Sequence, residues 1–392
     1  MSRFLSEIAH IYNGTDYKKN PPGNSVPIYG TGGVMGYTSI PLYFGPAVLA
    51  GRKGSINNPI YVEGAFWNVD TVFCIKADPG IDTKWLFYNF LNTDLSILNE
   101  ATGVPSVNSK ALYKLKFKWF ELTTQRHISH ILSTTDAAIE KTQAAITKYK
   151  SIKQGMLHDL FTRGIDVSTG KLRPKYEDAP ELYKESKLGL IPLEWNVEIF
   201  GERIELVHGH QFRNFDFTEY GIPVVKIGQV NPENIDISNC SYVSADRIEE
   251  FINVTVRNGD VLMALTGATL GKACLVGGLS KPVFQNYRVG RFEPKNSDND
   301  IDKVFLYYTL TAGELLNQIF NKVNSGAQGN LGKADFEKAF FKKPEFLEQK
   351  LIVARLNSLN SKLLTERSYL HKLQMLKQGL MGDLLNGKKI IY

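Results

Sequence analysis

Three cysteines in 392 residues, Cys74, Cys240 and Cys274, are too few and too scattered for a disulfide framework or a zinc site. They read as buried thiols in a reducing compartment. No apolar run approaches the ~18 residues of a membrane span. The opening MSRFLSEIAHIY carries no signal-peptide pattern, so a cytoplasmic chain with no membrane partner is expected. The seven histidines form no His-x-x-x-His pair and no cluster with cysteine, which leaves no metal site to expect. His208 and His210 flank Gly209 in a turn and read as surface residues. Neither sign of charge dominates. Forty-six basic residues against 40 acidic ones leave +6 and a pI near 8.9, which permits nucleic-acid binding without requiring it.

Catalytic motifs are also missing. Gly267-Ala268-Thr269-Leu270-Gly271-Lys272 looks like a phosphate loop, but three residues separate its glycines instead of four, and Ala273 follows the lysine. Asn20-Pro21-Pro22-Gly23 resembles the Asn-Pro-Pro-aromatic loop of adenine methyltransferases, whose aromatic stacks on a flipped base. Glycine stands where that aromatic would be, and no Gly-rich loop for a methyl donor precedes it, so it reads as a turn. No convincing nucleotide, methyl-donor or metal motif is present.

What the chain does contain is a long-range repeat. Ile128, Leu132, Thr135, Ile139, Thr142, Ile146, Tyr149, Lys153, Met156 and Leu160 recur 224 positions later. The second set is Ile352, Leu356, Leu359, Leu363, Glu366, Leu370, Leu373, Lys377, Leu380 and Leu384. Steps of four and three alternate, the heptad period of a coiled coil. Lys153-Gln154-Gly155-Met156-Leu157-His158-Asp159-Leu160 returns as Lys377-Gln378-Gly379-Leu380-Met381-Gly382-Asp383-Leu384. The chain is a tandem duplication of a globular head followed by a long helix, and two heads on two rods suit a partner that itself has two halves.

The predicted segments are a first head over 1–121, a long helix over 122–163, a polar linker over 164–190, a second head over 191–343, a second long helix over 344–386 and a tail over 387–392. Each head mixes short β-rich runs with Gly, Asn and Pro clusters. Trp85 to Leu91 reads as a helix. Pro344 at the first helical position, acids Glu345 and Glu348 in the first turn and Gly387 as a stop frame the second rod. The heads share a fainter pattern: strand Ala47–Ala50 with loop Gly51–Ser55, and strand Val261–Leu265 with loop Thr266–Lys272. A Gly–polar–Lys stretch precedes each rod, Gly103 to Lys110 and Gly326 to Lys333.

About 33 seam residues make a rod of about 50 Å. Pairing about a pseudo-twofold axis makes the rods antiparallel and puts the heads at opposite ends. Seam residues Thr135, Thr142, Glu366, Lys153 and Lys377 weaken a plain zipper but fix register. Gly155 and Gly379, costly inside a helix, suggest close backbone approach between the rods or to another protein. A second stripe, Ile131, Ala138, Ala145 and Ile152, calls for partner helices. Helix pairing and subunit docking are therefore assigned to Ile128, Leu132, Ile139, Ile146, Gly155, Met156, Leu160, Ile352, Leu356, Leu363, Leu370, Gly379, Leu380 and Leu384. The expected class is α+β: two globular α/β heads separated by two long antiparallel coiled-coil helices in a pseudo-twofold repeat.

Double-stranded DNA is a partner that the loops can read. In the first head, Lys18, Lys19, Tyr29, Thr31, Arg52, Lys53, Ser55, Trp67, Asn68, Asn108 and Lys110 lie in Gly-rich or polar segments. In the second, Arg213, Asn214, Lys226, Gln229, Thr266, Thr269, Lys272, Gln285, Asn286, Arg288, Gln328, Asn330 and Lys333 do. Arg and Lys pair with guanine, Asn and Gln with adenine, and hydroxyls reach phosphates.

Along its whole length the chain resembles the specificity subunit of a type I restriction–modification system. The resemblance rests on the head–helix–head–helix order, on the two Lys-Gln-Gly blocks, on Pro344-Glu345-Phe346-Leu347-Glu348-Gln349, and on Ile191-Pro192-Leu193-Glu194-Trp195 leading into the second head. It departs at Trp119 to Gln125, where the family has a proline and a Glu-Gln pair, so the start of the first helix stays open. The resemblance implies that each head is a target-recognition domain reading one half of a bipartite, asymmetric DNA sequence. The rods would set the spacer and dock two methyltransferase (modification) subunits, which bind S-adenosylmethionine and methylate adenine at N6. Restriction subunits using ATP and Mg would translocate and cut. This chain would carry no catalytic residue and bind no cofactor itself. Two other readings stay open. A DNA-modifying enzyme would bind S-adenosylmethionine alone, and a stand-alone coiled-coil scaffold would hold proteins without DNA.

Overall fold

The computed structural model describes residues 1–296, 300–322 and 329–388. They fall into two compact units, residues 1–147 with 365–392 and residues 148–364. Each unit holds one head and a part of both long helices.

In the first unit, a four-stranded antiparallel sheet runs in the order Ala9–Asn13, Val72–Ala77, Ala47–Gly51, Ile60–Val62. Ala47–Gly51 is buried at all five positions, because both of its faces are covered. The strand period of two sorts its side chains. Val48 and Ala50 pack with Trp85, Leu86, Tyr88 and Phe90 of the helix Thr83–Leu91. Ala47 and Leu49 pack with Phe66 and Trp67 of the second sheet. There Pro22–Gly30 pairs antiparallel with Gly33–Thr38 and parallel with Ala65–Asn68. Pro22 and Gly23 thus open a strand, and the turn lies just before them, where Asn20 N–H donates to the Tyr17 carbonyl at 2.8 Å.

The second unit repeats this plan. Its sheet order is Ile204–His208, Val289–Pro294, Val261–Ala264, Ala273–Leu275. Val261 and Met263 pack with Phe200, Phe292 and Leu306, while Leu262 and Ala264 pack with Val225 and Val283. Ile222–Val225 runs parallel to Val283–Gln285, as Pro22–Gly30 does to Ala65–Asn68. The helix Lys303–Thr311 takes the place of Thr83–Leu91, and each is capped by an aspartate, Asp302 and Asp82.

The long helices span Leu122–Thr162 and Phe346–Leu385. In the first unit, Met381, Leu384 and Leu385 share a core with Ile128 and Leu132, and Lys377 pairs with Asp136 at 2.5 Å. In the second, Met156 and Leu160 share a core with Ile352 and Leu356. Late residues of one helix meet early residues of the other, so the pairing within each unit is antiparallel. All twenty seam residues are buried or partly buried. The seam threonines cost little because their own helix satisfies them. Thr135 Oγ1 donates to the Ile131 carbonyl at 3.0 Å and Thr142 Oγ1 to that of Ala138 at 2.8 Å.

Four sequence expectations change. The second helix begins at Phe346, two residues after Pro344, and the Glu345 carbonyl accepts its first hydrogen bond, from Gln349 N–H at 3.0 Å. The 164–190 stretch is not a loose polar connection. Ile165–Asp166 pairs with Lys171–Leu172, and Tyr183–Ser186 pairs with Gly189–Pro192. Arg173 then buries a two-pronged bond to Glu348, at 2.6 and 3.0 Å. Gly155 and Gly379 are exposed, and a Cβ built on either meets nothing within 4 Å, so they do not let the two helices approach each other. Finally, the apolar seam assigned to both helix pairing and subunit docking is taken up by the pairing within each unit. The outward apolar residues of the second helix are instead Leu364, Tyr369, Met375 and Leu376, all at least half exposed.

Candidate nucleic-acid interface

The ends of the head strands are tied by the same backbone bonds in both units. Val69 N–H donates to the Tyr29 carbonyl and Asn286 N–H to that of Val225, both at 3.0 Å. Thr15 N–H donates to the Asn68 carbonyl and His210 N–H to that of Gln285, also both at 3.0 Å. Arg52 N–H reaches the Thr71 carbonyl at 2.8 Å, and Leu265 N–H that of Arg288 at 2.9 Å. Val107 N–H reaches the Arg52 carbonyl at 2.9 Å, and Leu331 N–H that of Leu265 at 2.8 Å. Lys53 bridges to Ser106 as Thr266 does to Asn330. One glycine in each head makes the crossing possible. A Cβ on Gly14 would lie 1.9 Å from the Val69 carbonyl oxygen, and one on Gly209 would lie 2.1 Å from that of Gln285.

This frame corrects four of the predicted DNA contacts. Asn68 and Gln285 are fully buried, Trp67 and Asn286 nearly so. Asn68 Nδ2 donates to the Val72 carbonyl at 2.8 Å and Gln285 Nε2 to that of Val289 at 2.7 Å. Each amide thus closes the loop between two strands. Trp67 Nε1 donates to the Thr15 carbonyl at 2.8 Å, and Asn286 N–H is spent on Val225. Polar residue type suggested surface loops, whereas these side chains support the loops from inside. Their shared signal was an amide followed four positions later by valine, Asn68–Val72 and Gln285–Val289.

The remaining candidates divide by exposure. In the first head, Lys18, Lys19, Arg52, Lys53, Ser55, Asn108 and Lys110 are exposed, and Tyr29 and Thr31 are partly buried. Asn108 is already engaged, capping the helix Ser109–Tyr113 through Ala111 N–H and donating to Glu100 at 2.5 Å. In the second head, Arg213, Asn214, Lys272, Arg288, Asn330 and Lys333 are exposed. Lys226 is tied to Ser241 at 2.7 Å and lies over Phe217. Gln229 bonds to Lys226 N–H and the Asn239 carbonyl, and Thr269 to the Ile227 carbonyl. Lys333 faces Glu205 at 3.7 Å. Gln328 lies outside the described residues.

Thr266, Arg288 and Asn330 come together with His208, Ile227, Leu265, Gly267, Tyr287 and Leu331 around an open cleft of about 500 Å³. Arg288 Nε donates to the Tyr287 hydroxyl at 2.6 Å, which holds the guanidinium beside that ring. Thr266 Oγ1 is buried with no hydrogen-bond partner among the described residues. His210 is exposed, yet its ring packs on Phe212 and Phe251 at 4.8 Å each. Sequence reasoning missed Thr71 and Ser106 in the first head and Tyr287 in the second; the frame that the heads repeat singles out the first two, and Tyr287 lines the second head's cleft.

Burial pushes the Cys74 and Cys274 thiols up to about 12, so both stay protonated. Burial, with Tyr37 nearby, raises the Tyr29 hydroxyl. Arg213 N–H, then Arg247, holds the Asp216 carboxyl below its ordinary range. Among the described residues, no group of three or more His, Cys, Asp or Glu could hold a metal ion. None of their helices is long and apolar enough to cross a membrane.

Comparison with known proteins gives one family. The family described as type I restriction modification DNA specificity domain matches residues 1–148 and again 192–374. The MjaVIII type I restriction enzyme specificity subunit of Methanocaldococcus jannaschii is 26% identical over 313 residues, covering 79% of this chain and 70% of its own length. The EcoBI specificity subunit of Escherichia coli is 23% identical over 382 residues, covering 91% and 78%. In fold, the chain is similar to the crystal structure of a type I restriction–modification S subunit from M. genitalium. That match has a TM-score of 0.65 at 16% identity and covers 100% of this chain and 96% of the other.

Proposed function

The chain belongs to the type I restriction–modification DNA specificity family, and from that premise we propose that its two heads read the two halves of one bipartite, asymmetric DNA target. The observation that carries this reading is the frame common to both heads, dressed with different side chains. Identical backbone bonds hold Lys53 and Ser106 in one head and Thr266 and Asn330 in the other. A shared frame delivers both heads to DNA in the same way, and unlike side chains give each a different sequence to prefer.

The long helices set the distance between the half-sites and dock two modification subunits. Those subunits carry S-adenosylmethionine, and ATP- and Mg-dependent restriction subunits join them. The surface offered for docking is the outer face of the helices. There Leu364, Tyr369, Met375 and Leu376 are exposed, and Gly379 leaves room for a close partner. The chain itself chooses the DNA, and the methyl transfer belongs to its partners.

Exchanging residues 191–343 for the corresponding head of another family member tests the division of labour. The exchange should change one half of the methylated motif and leave the other half unchanged. A change in both halves, or in neither, would refute the assignment of one half to each head.

A further inference from the structure

We infer that Thr266, Arg288 and Asn330 choose the bases for the second head, and that Lys53, Thr71 and Ser106 do so from the equivalent places of the first. This rests on the reading of the chain as a DNA-specificity subunit and adds to it which side chains carry the information.

The argument begins with the backbone. Leu265 N–H to the Arg288 carbonyl and Arg52 N–H to that of Thr71 fix one pair of loops in the same way in both heads. The bridges Thr266–Asn330 and Lys53–Ser106 fix a second pair. Residues directly opposite across an antiparallel bridge point to the same face, so each bridge presents two side chains together. Lys53 and Thr266 are each followed by a glycine at positive φ, +90° at Gly54 and +76° at Gly267, which gives these two loops the same turn. At these places the frame is kept while the chemistry changes. Threonine stands against lysine, arginine against threonine, and asparagine against serine.

The second-head group is built to meet a base edge. Arg288 is exposed, and its Nε is committed to Tyr287. That anchor aims the guanidinium without using its terminal nitrogens, the fork that matches O6 and N7 of guanine. Asn330 is exposed beside it, and its amide matches N6 and N7 of adenine. Thr266 lines the same cleft, and its Oγ1 is buried beneath it with no partner among the described residues, a state that favours a ligand able to supply one. The second half of the target therefore contains a guanine read by Arg288 and an adenine read by Asn330. In the first head, Lys53 offers one cationic donor and Thr71 and Ser106 offer hydroxyls. That set favours guanine acceptors but discriminates less.

The test is a genome-wide N6-methyladenine map of cells carrying the full chain as wild type, Arg288→Ala, Arg288→Lys or Asn330→Ala. Each alanine variant should relax one position in the same half of the motif, with discrimination there falling about ten- to hundredfold. The other half and the spacer should stay unchanged. Arg288→Lys should recover only part of the preference, since a point charge lacks the fork. An unchanged motif in both alanine variants overturns the proposal. So does an unchanged motif methylated more weakly everywhere, together with a lower salt slope for binding of the wild-type site, because that is the behaviour of phosphate contacts. A wild-type map with no split motif would overturn the DNA-specificity reading itself, and the two failures are thereby told apart.

Discussion

Gln125 and Gln349, 224 positions apart, make the same pair of hydrogen bonds in the two units. Gln125 Oε1 accepts from Asp82 N–H at 2.9 Å, and its Nε2 donates to the Phe120 carbonyl at 2.8 Å. Gln349 Oε1 accepts from Asp302 N–H at 2.9 Å, and its Nε2 donates to the Pro344 carbonyl at 3.0 Å. Each glutamine is fully buried and joins the cap of a head helix to the start of a long helix. Gln125→Ala and Gln349→Ala strand a buried donor and acceptor, and each should lose about 1–3 kcal/mol in urea unfolding. Unchanged midpoints would show that these joints do not hold head to helix.

This joint also marks how far the sequence could be read. The heptad seam, the repeat distance and the long helices were legible, because burial repeats with a fixed period and each half confirms the other. Trp119 to Gln125 looked like a departure from the family pattern because Phe120 stands for Pro344 and Thr124 for Glu348. The residue that does the work, Gln125, was kept. The heads were less legible, since most of their strands are six residues or fewer and carry little periodicity. Asn68 and Gln285 look alike in a loop or in a core, and only the closing bonds to Val72 and Val289 separate the cases.

The glutamate missing from the first copy has a specific role in the second. Glu348, 1% exposed, takes both prongs of Arg173 and also the N–H of Ile165 at 2.7 Å. Removing one partner leaves a buried charge, so Arg173→Ala or Glu348→Ala should each cost about 3–5 kcal/mol, and the apolar pair Arg173→Met with Glu348→Leu much less. A double-mutant cycle by urea unfolding measures this. Additive losses would mean that the two side chains are not coupled.

Glycine substitutions should separate by location. Gly14→Ala and Gly209→Ala push a Cβ against a carbonyl oxygen, so each should destabilise its own head and weaken specific DNA binding. Gly155→Ala and Gly379→Ala place a Cβ with nothing within 4 Å among the described residues and should stabilise the helices by up to about 1 kcal/mol each. They should weaken assembly with modification subunits if a partner packs there. Thermal unfolding and co-purification read both effects. Full assembly by the helix variants would remove the glycines from the docking surface.

Asp216 gives the account a pH dependence. Its carboxyl is held below the ordinary range by Arg213 N–H and then by Arg247. A depressed folded pKa adds stability that is present above the unfolded value of about 3.9 and is lost as pH falls through the folded value. Asp216→Asn should therefore melt lower than wild type near neutral pH, and the gap should close as the pH is taken below the ordinary carboxylate range. A gap that stays constant across that range would mean that the carboxylate's charge is not what holds the turn.

The central claim is that this chain selects a split DNA sequence, and the direct measurement is a genome-wide map of N6-methyladenine in the source cell with and without this gene. The account predicts that methylation disappears at one asymmetric, interrupted motif and persists elsewhere. A map unchanged by loss of the gene would contradict it.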